Sequence, residues 1–194
     1  KRLFIVGIIL WSACSLFANE QDSIKVEKWL KEAVGLPQDS CRTLHFAKKM
    51  LGVPYVAATL DGNEEEQLVV HVDRLDCTTF VETVLALCIA DKRGVRNFDG
   101  FKKALTDVRY RNGVLDGYAS RLHYFSDWIR NNEQMGFVKE CTSETLCAQP
   151  QGFHVSPCNP ISLSFVFILI TYFMLSYLNL LSNNFIEFYL WKLL

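Results

Sequence analysis

The sequence lacks a dominant charge: 20 lysines and arginines stand against 21 aspartates and glutamates, a net of −1. A nucleic-acid partner calls for a basic face, so none is expected. It also lacks any Cys-x-x-Cys pair among its cysteines at 14, 41, 77, 88, 141, 147 and 158. Without that spacing there is no zinc signature, and the odd count excludes a complete disulfide framework. In an oxidising compartment some thiols could pair, in combinations the spacing leaves open. The four histidines and the acids show no ligand spacing either, so no metal and no cofactor is expected. Charge itself runs out near the C-terminal end, where Glu187 and Lys192 are the only charged residues after Glu144.

What is present begins with an exported look. Lys1-Arg2, an apolar run from Leu3 to Trp11 and small residues at Ala13 and Ala18 follow the layout of a signal peptide over 1–18. The run is short for a membrane span. Cys14 after Ser12-Ala13 offers a lipidation alternative, although Trp11 stands where such a site favours an aliphatic residue. An exported protein of the periplasm or cell envelope is the expectation.

Residues 22–147 read as one domain. Val26, Trp29, Leu30, Ala33 and Val34 recur at helical spacing before Gly35-Leu36-Pro37. A second helix has Asp39 or Ser40 as its cap, Leu44, Ala47 and Leu51 as its stripe, and Gly52 at its end. Residues 54–67 read as loop, with Glu64 to Glu66 a solvated run, and 67–72 (QLVVHV) as a short strand. Phe98, Phe101, Leu105 and Val108 give a later helix its inner face. Another carries Leu122, Phe125 and Ile129, with Ser120 as cap and with His123 and Asp127 at i, i+4, where the acid could orient the imidazole.

The stretch RLDCTTFVETVLAL, residues 74–87, carries the chemistry. Asp76 fits an N-cap, and Cys77, Phe80, Val81, Val84, Leu85 and Cys88 share one helix face. A cysteine in a first helical turn sits where free N–H groups and the helix dipole favour a thiolate nucleophile. On the same apolar face it is equally the position of a small buried hydrophobe.

Three motifs, VPYVAATLD, LDCTTFVETVLAL and RYRNGVLDGYASRLHYFSDWI, lie in order between residues 53 and 129. Over roughly 24–145 the chain resembles the bacterial N-acetylmuramoyl-L-alanine amidase-like family, a relative of the NlpC-type, papain-like cysteine hydrolases. The resemblance implies an α+β fold whose helical lobe presents the nucleophile to a small antiparallel sheet. It implies Cys77 as that nucleophile, and Tyr55, Asp76, Arg111 and Arg121 on the substrate side of the cleft. The implied substrate is a peptidoglycan stem peptide. Ala58 replaces a glycine common in such loops. The family's downstream histidine motif has no counterpart after Cys147, where His154 sits in a Gly/Pro/Ser stretch, which leaves His123 as the fallback base. With the sheet missing, Phe80, Val81 and Val84 are expected to be poorly covered, and inactivity of the truncated chain is one expectation.

Residues 148–194 form a hydrophobic tail. Ile161 to Leu181 carries no charge over 21 residues and is long enough to cross a bilayer. The abrupt loss of charge, of helical periodicity and of the family resemblance at one point favours out-of-frame translation after about residue 147 instead. A membrane span would support the alternative to an enzyme, a tethered wall-binding protein without catalysis.

Overall fold

A computed structural model describes residues 20–37 and 40–139 in full, together with the backbone of 161–162. The first helix, α1, occupies 20–34. Val26, Trp29, Leu30 and Ala33 are buried as their spacing requires, whereas Val34 is 60% exposed. At about 100° per residue, Val34 lies roughly 80° around the helix from Val26, which puts it at the edge of the stripe. Helix α2, Arg42–Lys48, is capped by Cys41, whose Sγ accepts from the Leu44 N–H at 3.5 Å. The cap is therefore neither Asp39 nor Ser40. Thr43, Phe46, Ala47 and Met50 form the inner side and Leu51 is 46% exposed, so the buried stripe is offset from the Leu44–Leu51 reading.

Residues 53–75 cross the domain without regular structure. Tyr55 and Leu75 form an isolated bridge, with the Leu75 N–H donating to Pro54 O and the Val56 N–H to Leu75 O. No strand forms over 67–72. Side chains take the place of a ladder there: Arg109 donates to Val69 O at 2.6 Å and the Tyr110 hydroxyl to Gln67 O at 3.1 Å. Backbone carbonyls satisfied in this way need no neighbouring strand.

At the centre lies α3, Cys77–Lys92, buried on nearly every side from Thr79 to Asp91. An all-round apolar helix belongs in a core rather than on a surface. Phe80, Val81 and Val84 are 1%, 2% and 1% exposed, which corrects the expectation of a bare face. The cover is helical: α4, Phe98–Arg109, packs along α3, and α2 lies against it as well. Buried acids at the helix ends are matched by cations, Asp91 by Arg42 and Arg96, Asp107 by Arg93 and Lys103.

Two 3₁₀ turns, Arg111–Gly113 and Tyr118–Ser120, lead to α5, Phe125–Gln134. The α5 cap position is Tyr124, so Ser120 and His123 both precede the helix and the i, i+4 face joining His123 to Asp127 does not exist. The two strands, β1 (Val138–Lys139) and β2 (Ile161–Ser162), pair in parallel. Among the described residues the fold is thus mostly helical with little strand, and the antiparallel sheet of the α+β expectation is not seen in them. No helix among these residues is long and apolar enough to cross a membrane. The signal-peptide reading at 1–18, Cys14, His154 and the side chains of the 161–181 segment lie outside the described residues.

Candidate active site

The helix start at Cys77 is built by a reciprocal cap. The Thr79 N–H donates to Asp76 Oδ1 at 2.8 Å, and the Asp76 N–H donates to the Thr79 hydroxyl at 2.8 Å. Asp76 is thereby committed to the helix, and Cys77 occupies the first turn. The Cys77 side chain is half-buried and hydrogen-bonded to the Tyr55 side chain. That contact follows from the Tyr55–Leu75 bridge, which lays the Pro54-Tyr55 loop alongside the residues entering the helix.

Beside it opens a cleft of about 280 Å³ whose lining includes Ala58, Asp61, Asp76, Thr78, Glu82, Tyr118, Arg121 and His123. Asp76 and Thr78 flank Cys77 in sequence, so the cleft borders the nucleophile candidate. Arg121 is held on both sides: Nη2 is 3.2 Å from Asp61 and Nε is 3.5 Å from Glu66. Its guanidinium also faces the Tyr118 ring at 5.2 Å. The Glu66 side chain is 7% exposed, pairs with Arg121 and accepts from the Tyr110 hydroxyl at 2.9 Å, so the Glu64 to Glu66 run is not wholly solvated. His123 lies against Tyr118, with ring centroids 4.1 Å apart and Nε2 3.0 Å from Tyr118 O. A carbonyl can only accept, so Nε2 carries the hydrogen and Nδ1 keeps the lone pair when the ring is neutral.

Of the residues singled out in the sequence, Asp76, Arg121 and His123 meet in this cleft, and Tyr55 meets Cys77. Arg111 does not join them; it is exposed and lies 3.9 Å from Asp127. Asp127 is therefore turned to Arg111 rather than to His123. Sequence reading missed Asp61, Glu66 and Glu82, acids that surround Arg121 or the cleft. Glu82 sits in the middle of a buried helix and is paired with Arg109 at 2.8 Å. A glutamate inside an apolar run was the available signal.

The electrostatics correct the thiolate expectation. Burial, and then the Asp76 carboxylate, push the Cys77 thiol above the ordinary cysteine value, while its own backbone N–H and the Tyr55 hydroxyl oppose them with less effect. The surroundings of Cys77 favour the thiol over the thiolate. Cys88, half-buried against the core, is pushed up to about 12. Iodoacetamide should accordingly modify Cys77 along a rate profile displaced to higher pH than a free cysteine, with Cys88 silent. Tyr55→Phe removes a thiolate-stabilising donor and should move the Cys77 profile further up. Mass mapping of the modified cysteines over a pH series checks both shifts.

The match to known proteins covers this region. A family model described as AmiA-like, N-acetylmuramoyl-L-alanine amidase-like, matches residues 45–154. Two crystal structures of a Bacteroides uniformis N-acetylmuramoyl-L-alanine amidase are similar to the chain. One is 43% identical with a TM-score of 0.47, covering 50% of this chain and 41% of that one. The other is 34% identical with a TM-score of 0.48, covering 69% and 59%. A Legionella pneumophila protein is 27% identical with a TM-score of 0.55, over 64% of this chain and 41% of that one. The chain thus spans between 41% and 59% of the lengths of these three structures. Among curated proteins, none matches. With more than half of its residues inside the family match, and Cys77 and its cleft within those bounds, the chain belongs to the AmiA-like, N-acetylmuramoyl-L-alanine amidase-like family.

Proposed function

We propose that the chain is a cysteine hydrolase of the NlpC type, exported to the cell envelope, that cuts an amide bond of peptidoglycan peptides. The observation that carries this reading is Cys77 in the first turn of a capped helix, hydrogen-bonded to Tyr55 and bordering a cleft that also holds a histidine. Family membership supports the substrate class.

In this mechanism Cys77 starts as a thiol, so its attack on the carbonyl needs a base to take the proton. Among the described histidines, His123 is the one that lines the cleft. Its Nε2–H is held by Tyr118 O, which leaves Nδ1 to accept the thiol proton and later return it to the leaving amine. The first N–H groups of α3 have no partner within the helix, and those of Cys77 and Thr78 are placed to bind the oxyanion of the tetrahedral intermediate. Tyr55 holds the sulfur in place. Arg121, fixed by Asp61 and Glu66, lines the same cleft and offers its remaining N–H groups to a peptide carboxylate.

Incubation of the full chain with purified muropeptides, followed by mass analysis of products, tests the reading. The expected result is one new amine and one new carboxylate per cut, at a single bond type. Binding to wall material with no new termini would overturn it in favour of a tethered binding protein.

A further inference from the structure

A second cluster of chemically competent side chains lies outside the cleft. Asp22 is on α1, while His71 and Asp73 are on the irregular segment that runs into the Cys77 helix. One carboxylate oxygen from each aspartate and one ring nitrogen of His71 all lie within 4.8 Å of one another. Asp22 is 3% exposed, and the Val72 N–H donates to its carboxylate. His71 is half-buried and Asp73 is exposed. Lys25 and Arg74 are the positive groups that act on Asp22. Arg74 Nη2 also lies 3.3 Å from both nitrogens of the His71 ring, and Arg109 acts on the same ring more weakly.

We propose that Asp22, His71 and Asp73 form a site for a divalent transition metal, best fitted to Zn²⁺, which ties α1 to the segment preceding the nucleophile. Two carboxylate oxygens with one imidazole nitrogen make a mixed donor set. Carboxylates alone would suit Mg²⁺ or Ca²⁺, and the imidazole tips selection toward Zn²⁺. Zinc bonds of about 2.0–2.2 Å in tetrahedral geometry place neighbouring ligand atoms roughly 3.3 Å apart, so the cluster must contract by about 1.5 Å at its widest. The exposed Asp73 side chain is free of the core and can supply that movement. Water completes the fourth position.

A divalent cation would bind His71 through one ring nitrogen of the neutral imidazole. Arg74 is its competitor, and metal entry displaces that guanidinium from the ring. The bound ion acts on structure: Asp73 precedes Leu75, whose backbone is tied to Pro54 and Val56, and through them to the Tyr55 loop beside Cys77.

The test uses the full chain stripped with chelator, with thermal melts in Zn²⁺, Mn²⁺ and Ca²⁺ and absorption spectra in Co²⁺. At a hundredfold excess over Kd, Zn²⁺ should raise Tm by about 5 °C or more. His71→Ala and Asp73→Asn should lose that rise while their metal-free circular dichroism matches the parent. Arg74→Ala should tighten Zn²⁺ binding several-fold. Co²⁺ should give visible bands without a thiolate charge-transfer band. No Zn²⁺-dependent rise, an equal rise in both variants, or a thiolate band would overturn the site. A response to Ca²⁺ alone would overturn the choice of metal.

Discussion

Arg109→Met should destabilise the fold by about 3–5 kcal/mol, the largest stability effect expected of a single change to a charged residue in this chain. Arg109 and Glu82 are 3% and 2% exposed, and Arg109 Nε donates to Glu82 Oε2 at 2.8 Å. Burial, and more weakly the Asp76 carboxylate, raise the Glu82 pKa, and the Arg109 guanidinium opposes them most. Without Arg109, a carboxyl group stays inside a buried helix with only the weaker, more distant influence of Arg121. The second arm of the guanidinium is lost too, and Val69 O gives up its 2.6 Å donor. Urea unfolding of the single variant should show a much lower midpoint, whereas Arg109→Met with Glu82→Leu should recover most of the loss. Recovery is expected because two apolar side chains of similar volume avoid the desolvation of both charges. A double variant no more stable than the single would show that the pair does more than neutralise itself.

Cys77→Ala should lower amide hydrolysis of muropeptides by at least about a thousandfold while leaving the melting curve nearly unchanged. The stability half of this expectation rests on position, because Cys77 is half-buried at a helix start while the core residues Phe80 and Val84 sit one turn and two turns on. Its activity half rests on the proposed reaction, in which no neighbouring hydroxyl replaces the sulfur. His123→Gln should reduce kcat and alter the pH profile, since Nδ1 is the base in that scheme. Hydrolysis that survives Cys77→Ala would remove the cysteine mechanism, and with it the role given to His123.

The parts of the fold legible in the sequence were those decided locally. The Asp76 cap and the apolar run behind it specify α3 within a few residues. Contacts between distant residues were not legible. Arg121 stood out by its motif, yet its partners Asp61 and Glu66 come from a loop with no periodic signal. The 67–72 segment has the composition of a strand, but its carbonyls are taken by Arg109 and Tyr110. His123 and Asp127 seemed paired only because a helix was assumed to start at Ser120; its start at Phe125 separates them. Asp22, His71 and Asp73 gave no spacing to read, because tertiary packing alone brings α1 to the second segment.

The clamp of Arg109 on Val69 has a temporal side. Helices α3 and α4 are joined by the short stretch 93–97 and pack together at little cost in chain entropy. The loop over 53–75 has no ladder of its own, and two side chains that hold it, Arg109 and Tyr110 at the end of α4, are in place only once that helical pair exists. The loop is therefore expected to dock after the helices, and hydrogen exchange should be faster in 53–75, beside the Cys77 cleft, than in α3 and α4.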